Sequence, residues 1–276
     1  MRPIVRHVFK HLCAIAKDAV FPARCCSCGR FFHCSPASES KVADGAETED
    51  RFDAGLIQFL CIDCLAELRA PLSPICTLCG RFFDSPHGVD HVCGRCLEDP
   101  FDFDKARASG LYDRALKALI RSYKYQCRVE LAAPLAGLLW RTLLRYWDLE
   151  EIDSIIPVPL HRRRLRERGF NQVELMLRFW PALSRRCAVP LKSGKVMAGL
   201  LVRHRHTHSQ AGLDRRDRAA NLQHAFRLTD PAMVQGRRLL LVDDVLTTGA
   251  TANACARVLK RGGAASVRVL TLAHAG

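Results

Sequence analysis

Two adjacent carboxylates, Asp243 and Asp244, follow the apolar run Leu239–Val242 and precede Val245-Leu246-Thr247-Thr248-Gly249-Ala250-Thr251. The apolar run has the length and composition of a strand buried on both faces, which should end where the acids begin. Beyond the Thr/Gly turn a helical pattern runs from Ala252 to Arg261. Buried strand, hydroxyl-bearing turn and helix start together make a phosphate cradle. Unpaired amides and the helix dipole favour an anion, Gly249 lets the backbone come close, and the threonine hydroxyls can donate. Paired acids would repel a bare phosphate. A sugar phosphate removes the conflict: its phosphate enters the turn, while the acids accept from sugar hydroxyls and help hold a divalent cation. An ordinary helix start needs a single capping acceptor, not this series. The stretch has neither the Gly-Lys-Ser/Thr of a nucleotide loop nor the Gly-x-Gly spacing of a dinucleotide site.

A second chemistry lies before residue 100. Four C-x2-C pairs occur there: Cys25/Cys28, Cys61/Cys64, Cys76/Cys79 and Cys93/Cys96. Two such pairs complete a tetrahedral four-sulfur zinc site, so four pairs suggest one or two structural zinc ions. Cys-Gly-Arg-Phe-Phe occurs at 28–32 and again at 79–83, as expected of two knuckle turns. The simplest arrangement joins the first two pairs and the last two, although an interleaved one is open, as are substitutions by Cys26, Cys34 or His91.

Two basic stretches could grip further anionic groups. PVPLHRRRLRERGFNQ, residues 157–172, frames five arginines between prolines and a helix that starts near Asn171. Guanidinium groups in a Pro-framed turn suit bidentate phosphate contacts, with Arg168, Asn171 and Gln172 nearest the helix start. The second stretch, residues 201–226, holds five arginines and four histidines and has the composition of a solvated basic segment. Lys124, in Tyr-Lys-Tyr, sits at a break between two helical patterns, Asp113–Tyr125 and Val129–Leu144. A strand is expected near Ala108–Tyr112, a core strand over Asp153–Val158, and another buried strand over Ser266–Leu272. Residues 1–21 carry apolar positions at helical spacing (Ile4, Val5, Val8, Leu12, Ile15) and read as an amphipathic helix. Residues 35–55 are acidic and poor in large apolar side chains, as in a disordered insertion.

The 276 residues allow one catalytic unit and a smaller module, divided here as 1–100 and 101–276 with hood helices over 113–145. A formal charge of +14 points to an anionic partner, sugar phosphate or nucleic acid. Nothing reads as an export signal or a transmembrane segment, so the 14 cysteines are expected in the cytoplasm, where metal ligation outcompetes disulfides.

Leu239–Thr251 resembles the motif by which type I phosphoribosyltransferases bind PRPP (5-phosphoribosyl 1-diphosphate). That likeness implies that Asp243 and Asp244 contact the ribose 2′ and 3′ hydroxyls. It implies that Thr247, Thr248, Gly249, Ala250 and Thr251, entered through Val245 and Leu246, hold the 5′-phosphate. The wider order is similar to the ComF (GntX-like) family of competence-associated phosphoribosyltransferase-like proteins: a cysteine module, Lys124-Tyr125, Arg-Gly-Phe-Asn-Gln at 168–172, Arg203…Gln210…Arg218…Asn221 and the acid pair. The family implies an α/β type I phosphoribosyltransferase core, a parallel sheet flanked by helices, behind a small zinc-binding module. It implies pyrophosphate contacts from Pro159, Arg164, Arg168, Asn171, Gln172 and Lys124, and a lid bearing Arg203 and Gln210. It also implies Mg2+ bound with PRPP, transfer of phosphoribosyl to an acceptor that the sequence does not name, and single-stranded DNA or a competence-machinery protein as partner.

Overall fold

The computed structural model describes residues 22–33, 54–68, 71–83, 87–204 and 224–276. The expected amphipathic start, nearly all of the 35–55 insertion, and Gln210, Arg218 and Asn221 lie outside these residues.

Four strands form one parallel sheet: β3 (Lys105–Leu111), β4 (Ser154–Pro157), β7 (Arg238–Leu246) and β8 (Ser266–His274), in the order β3-β8-β7-β4. The short strands β1 (Ala23–Arg24) and β2 (Phe31–Phe32) pair antiparallel, as do β5 (Leu201–Arg203) and β6 (Phe226–Leu228). β7 occupies a central position between β4 and β8. Successive side chains of a strand point to opposite faces, and here both faces are covered. Leu240 and Val242 face a core with Leu270 and Leu272. Leu239 and Leu241 face a second core with Val267 and Val269. Full burial of each leucine contributes about 2 kcal/mol. β7 is longer than its apolar run: it continues through Asp243 and Asp244 to Leu246, because β8 also runs on and pairs with it up to His274. The acids are therefore strand residues, not the start of a turn.

The first face is covered by α3 (Arg114–Tyr125), α4 (Ala132–Tyr146), α6 (Gln172–Leu177) and α7 (Trp180–Arg186). α4 buries Leu135, Leu139 and Leu143, and its Trp140 meets Trp180 edge-on at 5.3 Å. The second face is covered by α8 (Ala250–Arg261), which starts two residues before the helical pattern suggests and ends at Gly262–Gly263. The arginine stretch is not a simple loop. His161 caps a short helix, α5 (Arg162–Arg168), with its ring accepting from the Arg163 amide, and Gly169 closes it at φ 83°.

The cysteine-rich part supplies α1 (Ile62–Ala66) and α2 (Gly94–Glu98). Its two Cys-Gly-Arg turns fold alike. The amides of Gly29 and Gly80 bond back to the carbonyls of Cys25 and Cys76 at 3.0 Å each, and both glycines are left-handed. The second turn is seated on β3. The Ala106 amide donates to the Leu78 carbonyl at 2.7 Å, and the buried Arg107 guanidinium reaches the Thr77 carbonyl at 3.1 Å. Among the described residues no helix is long and apolar enough to cross a membrane.

The two knuckle glycines should respond differently to alanine. A Cβ on Gly80 would lie 2.7 Å from the Ala106 carbonyl oxygen, whereas one on Gly29 meets only the flexible Arg24 guanidinium at 3.4 Å. Both carry the left-handed strain of about 1–2 kcal/mol, but only Gly80→Ala should also break the seat on β3. Chemical unfolding should show the larger loss for Gly80→Ala, and equal losses would refute this account of the contact.

Candidate active site at the carboxyl end of the sheet

Strand alternation separates the two acids. Asp244 shares the parity of Leu240 and Val242 and turns toward α3 and α6. Lys124 Nζ lies 2.6 Å from one of its oxygens, and Gln172 Nε2 donates to the other at 2.6 Å. The arrangement continues outward: Arg168 donates to Gln172 Oε1, the Tyr123 hydroxyl donates to the Gln172 carbonyl at 2.9 Å, and the Arg168 guanidinium lies 5.5 Å over the Tyr125 ring. Asp244 is 5% exposed, so this pairing is what makes burial of its charge tolerable. Asp243 shares the parity of Leu239 and Leu241 and belongs to the α8 side. Its carboxylate accepts from the Asp244 amide at 2.8 Å. Burial and the neighbouring Asp244 charge push its carboxyl up to about 7, against the pull of Lys124 and Arg203. Beneath it the Cys255 thiol is driven well up by burial and by Asp243 itself.

The turn after β7 has the features of an anion cradle. Gly249 adopts φ +77° and caps α8, so the first amides of a 12-residue helix open toward the carboxyl end of the sheet. Thr247 is exposed, Thr248 and Thr251 are half-buried, and the Thr248 hydroxyl approaches the Ala250 amide at 3.4 Å. Val245 and Leu246 are the last residues of β7.

The structure gathers the acid pair, Lys124, Gln172, Arg168 and Arg203 at one end of the sheet. Arg203, at the end of β5, is held below the usual guanidinium range by burial first and by the Arg164 charge second. Pro159 follows β4, half-buried. Asn171 has a different occupation from the anion contact expected of it. Its side chain accepts from the amides of Val173 and Glu174 and donates to the Val158 carbonyl and to Glu174, so it caps α6 with its polar atoms engaged. Gln172, likewise expected at a departing anion, spends its amide on Asp244.

The cysteines form two clusters, Cys25/Cys28/Cys61/Cys64 and Cys76/Cys79/Cys93/Cys96, with the sulfurs of each group within 4.8 Å of one another. The pairing is consecutive, not interleaved. Neighbouring sulfurs lie 3.7 Å apart at Cys28–Cys61, 3.9 Å at Cys76–Cys96 and 3.8 Å at Cys79–Cys93. A tetrahedron with zinc–sulfur bonds of about 2.3 Å has edges of about 3.8 Å, so both groups fit zinc. Burial raises the thiols generally, taking Cys64 and Cys96 up to about 12. At Cys25 and Cys76 it is outweighed by backbone amides, which bring them to about 6 and about 7. Cys26 stays out of the first cluster and accepts from Arg128 at 2.9 Å, and His91 stacks on Phe83 at 4.0 Å.

Comparison with known proteins identifies the family. Residues 184–276 match the phosphoribosyl transferase domain model. The chain is 33% identical to competence protein F of Haemophilus influenzae over 79% of its own length and 97% of that protein. The chain belongs to the ComF family. It is also 39% identical to the DNA utilization protein YhgH of Escherichia coli K12, over 72% of this chain and 83% of that protein. A more distant relative is competence protein ComFC of Bacillus subtilis, 26% identical over 77% and 83%. This ComF-family chain has the type I phosphoribosyltransferase fold with a cysteine-rich module before it.

Tyr123 and Phe101 were not singled out by sequence reasoning. Each is an unremarkable aromatic in a helix or linker, and nothing local signals that Tyr123 supports Gln172 or that Phe101 lies against Gly249.

The raised Asp243 carboxyl has a measurable consequence. The folded chain keeps this proton up to about pH 7, whereas the unfolded chain releases it near the usual 3.8. Between those values the native state binds the extra proton, so stability falls as pH rises, and the loss is complete above about 7. Asp243→Asn should therefore melt above the parent at pH 8, with the gap narrowing at pH 5. A gap independent of pH would contradict the assignment.

Proposed function

We propose that this protein binds PRPP at the carboxyl end of β7 and transfers its phosphoribosyl group to an acceptor with release of pyrophosphate. The observation that carries this reading is the juxtaposition of the two carboxylates near the end of β7 with the amide-lined turn at Gly249–Thr251, which begins five residues beyond Asp244. In this reading the 5′-phosphate lies in the turn formed by Thr247, Thr248, Gly249, Ala250 and Thr251. The ribose hydroxyls lie over the end of β7, where Asp243 and Asp244 accept from them. Arg164, Arg168 and Lys124 lie on the side from which the pyrophosphate would leave, with Arg203 at the base of the segment expected to close over it. Cations there stabilise the charge that develops on the departing group, and the carboxylates stabilise the positive ribose carbon of an oxocarbenium-like transition state. The donors fit a hard divalent cation: two adjacent carboxylates supply oxygen ligands, and bound positive charge would relieve the repulsion that raises the half-buried Asp243 carboxyl. Mg2+ bound with PRPP would neutralise part of the charge on the pyrophosphate. The division into a module over 1–100 and a transferase unit over 101–276, and a cytoplasmic setting, belong to the same proposal.

A second reading keeps PRPP binding but replaces efficient turnover with service to DNA uptake or processing. The relatives' names, competence protein and DNA utilization protein, favour it. So does the exposed Tyr125 ring, 69% exposed, with the Arg168 guanidinium stacked over it, which suits a single strand.

Calorimetry with PRPP and Mg2+ should give saturable binding that Asp243→Asn/Asp244→Asn weakens at least tenfold. Absence of binding by the parent would sink the proposal. If PRPP binds but no nucleobase in a broad screen elicits pyrophosphate release, the second reading replaces the first. We also propose that the two cysteine clusters each hold structural zinc. Metal analysis of protein purified without chelator should find two zinc ions per chain, and fewer than two would refute it.

A further inference from the structure

We infer that Arg95 is a positioning residue for the 5′-phosphate turn, and that through it the second cysteine cluster forms part of the PRPP site. The inference deepens the PRPP reading above and rests on it.

Arg95 lies between two sulfurs of that cluster, Cys93 and Cys96, on α2. Its guanidinium donates from Nη2 to the backbone carbonyl of Thr248 and lies 4.7 Å over the ring of Phe101. Phe101 stacks on Phe103 with centroids 4.4 Å apart, and its ring edge fills the space beside Gly249. A Cβ on that glycine would lie 2.7 Å from the ring. The next residue continues the attachment. The Asp102 amide donates to Asn253 in the first turn of α8 at 2.5 Å, and the Asp102 carboxylate pairs with Arg257 at 2.9 Å. The chain leaving the second cluster is thus fastened along α8, beginning at the turn itself.

Peptide geometry gives these contacts a consequence for the anion site. In a planar trans peptide the carbonyl and the following N–H point in opposite directions. With the Thr248 carbonyl held toward Arg95, the Gly249 N–H is directed away from the cysteine-rich part, toward the side where a phosphate would sit. Glycine tolerates either sign of φ, so this peptide could otherwise flip and present its carbonyl oxygen to the phosphate. Arg95 holds the attractive orientation and Phe101 restricts the glycine. The Cys76/Cys79/Cys93/Cys96 cluster fixes where Arg95 starts from.

The test compares the full chain with Arg95→Met, which keeps bulk but not the donor, and Arg95→Lys, which restores a donor. Zinc content and melting temperature verify that each variant is folded. Binding of ribose 5-phosphate and of pyrophosphate is measured separately, and hydrogen exchange is followed at the amides of residues 249–251. Arg95→Met is expected to retain its zinc, lose at least tenfold in ribose 5-phosphate affinity, keep pyrophosphate affinity within about twofold, and exchange faster at those amides. Arg95→Lys should recover most of both losses. Equal weakening toward the two ligands, or exchange at the turn unchanged in Arg95→Met, overturns the inference. If the parent binds neither PRPP nor ribose 5-phosphate, the PRPP reading fails. The exchange data then decide by themselves whether Arg95 orders the turn.

Discussion

A strand buried on both faces that carries two carboxylates near its end imposes the central constraint on this molecule. Leu239, Leu240, Leu241 and Val242 are fully buried, and β7 is paired on both sides. Such a strand positions whatever follows it with little freedom. The polar groups at its end must find partners, because an unpaired buried charge costs several kcal/mol. The two acids meet this demand in opposite ways. Asp244 is held by Lys124 and Gln172, whereas Asp243 retains its proton to about pH 7. One strand end thus presents a carboxylate gripped by a lysine and an amide on one face and a proton-holding carboxyl on the other.

That asymmetry bears on chemistry. A ligand that brings positive charge, or that draws negative charge away from the acids, changes the balance at Asp243 first. Asp244 is already compensated, and its partners lead through Gln172 to Arg168 and to the basic helix α5. A carboxylate has more lone-pair sites than the two bonds it makes here, so sugar hydroxyls can add to the existing contacts without displacing them.

The cysteine-rich part packs against the transferase fold at several points. Arg107 and Ala106 attach the second knuckle to β3, while Arg95, Phe101 and Asp102 attach it to the start of α8. The first cluster packs elsewhere: Cys25, Cys61 and Cys64 join the core beneath α4, and Arg128 ties Cys26 to the α3–α4 turn. The two sulfur clusters therefore have separate positions, one under the helices that cover the sheet and one beside the turn that starts α8.

Local chemistry was legible in the sequence by itself. The acid pair, the Thr/Gly turn and the C-x2-C spacings each work within a few residues, so their geometry follows from the backbone of one strand, one turn or one knuckle. The Asp243–Asp244 pair looked symmetrical because a sequence shows adjacency and not the face to which each side chain turns. Asn171 looked like an anion contact because a helix cap and a phosphate ligand use the same side chain. What only the tertiary structure decided are the partners brought from far along the chain: Gln172 at 72 residues from Asp244, Lys124 at 120, and Arg95 at 153 residues from Thr248. No local pattern encodes these pairings. They exist because the sheet order places β7 between β4 and β8, with α3 and α6 over one face and the second cysteine cluster beside the start of α8.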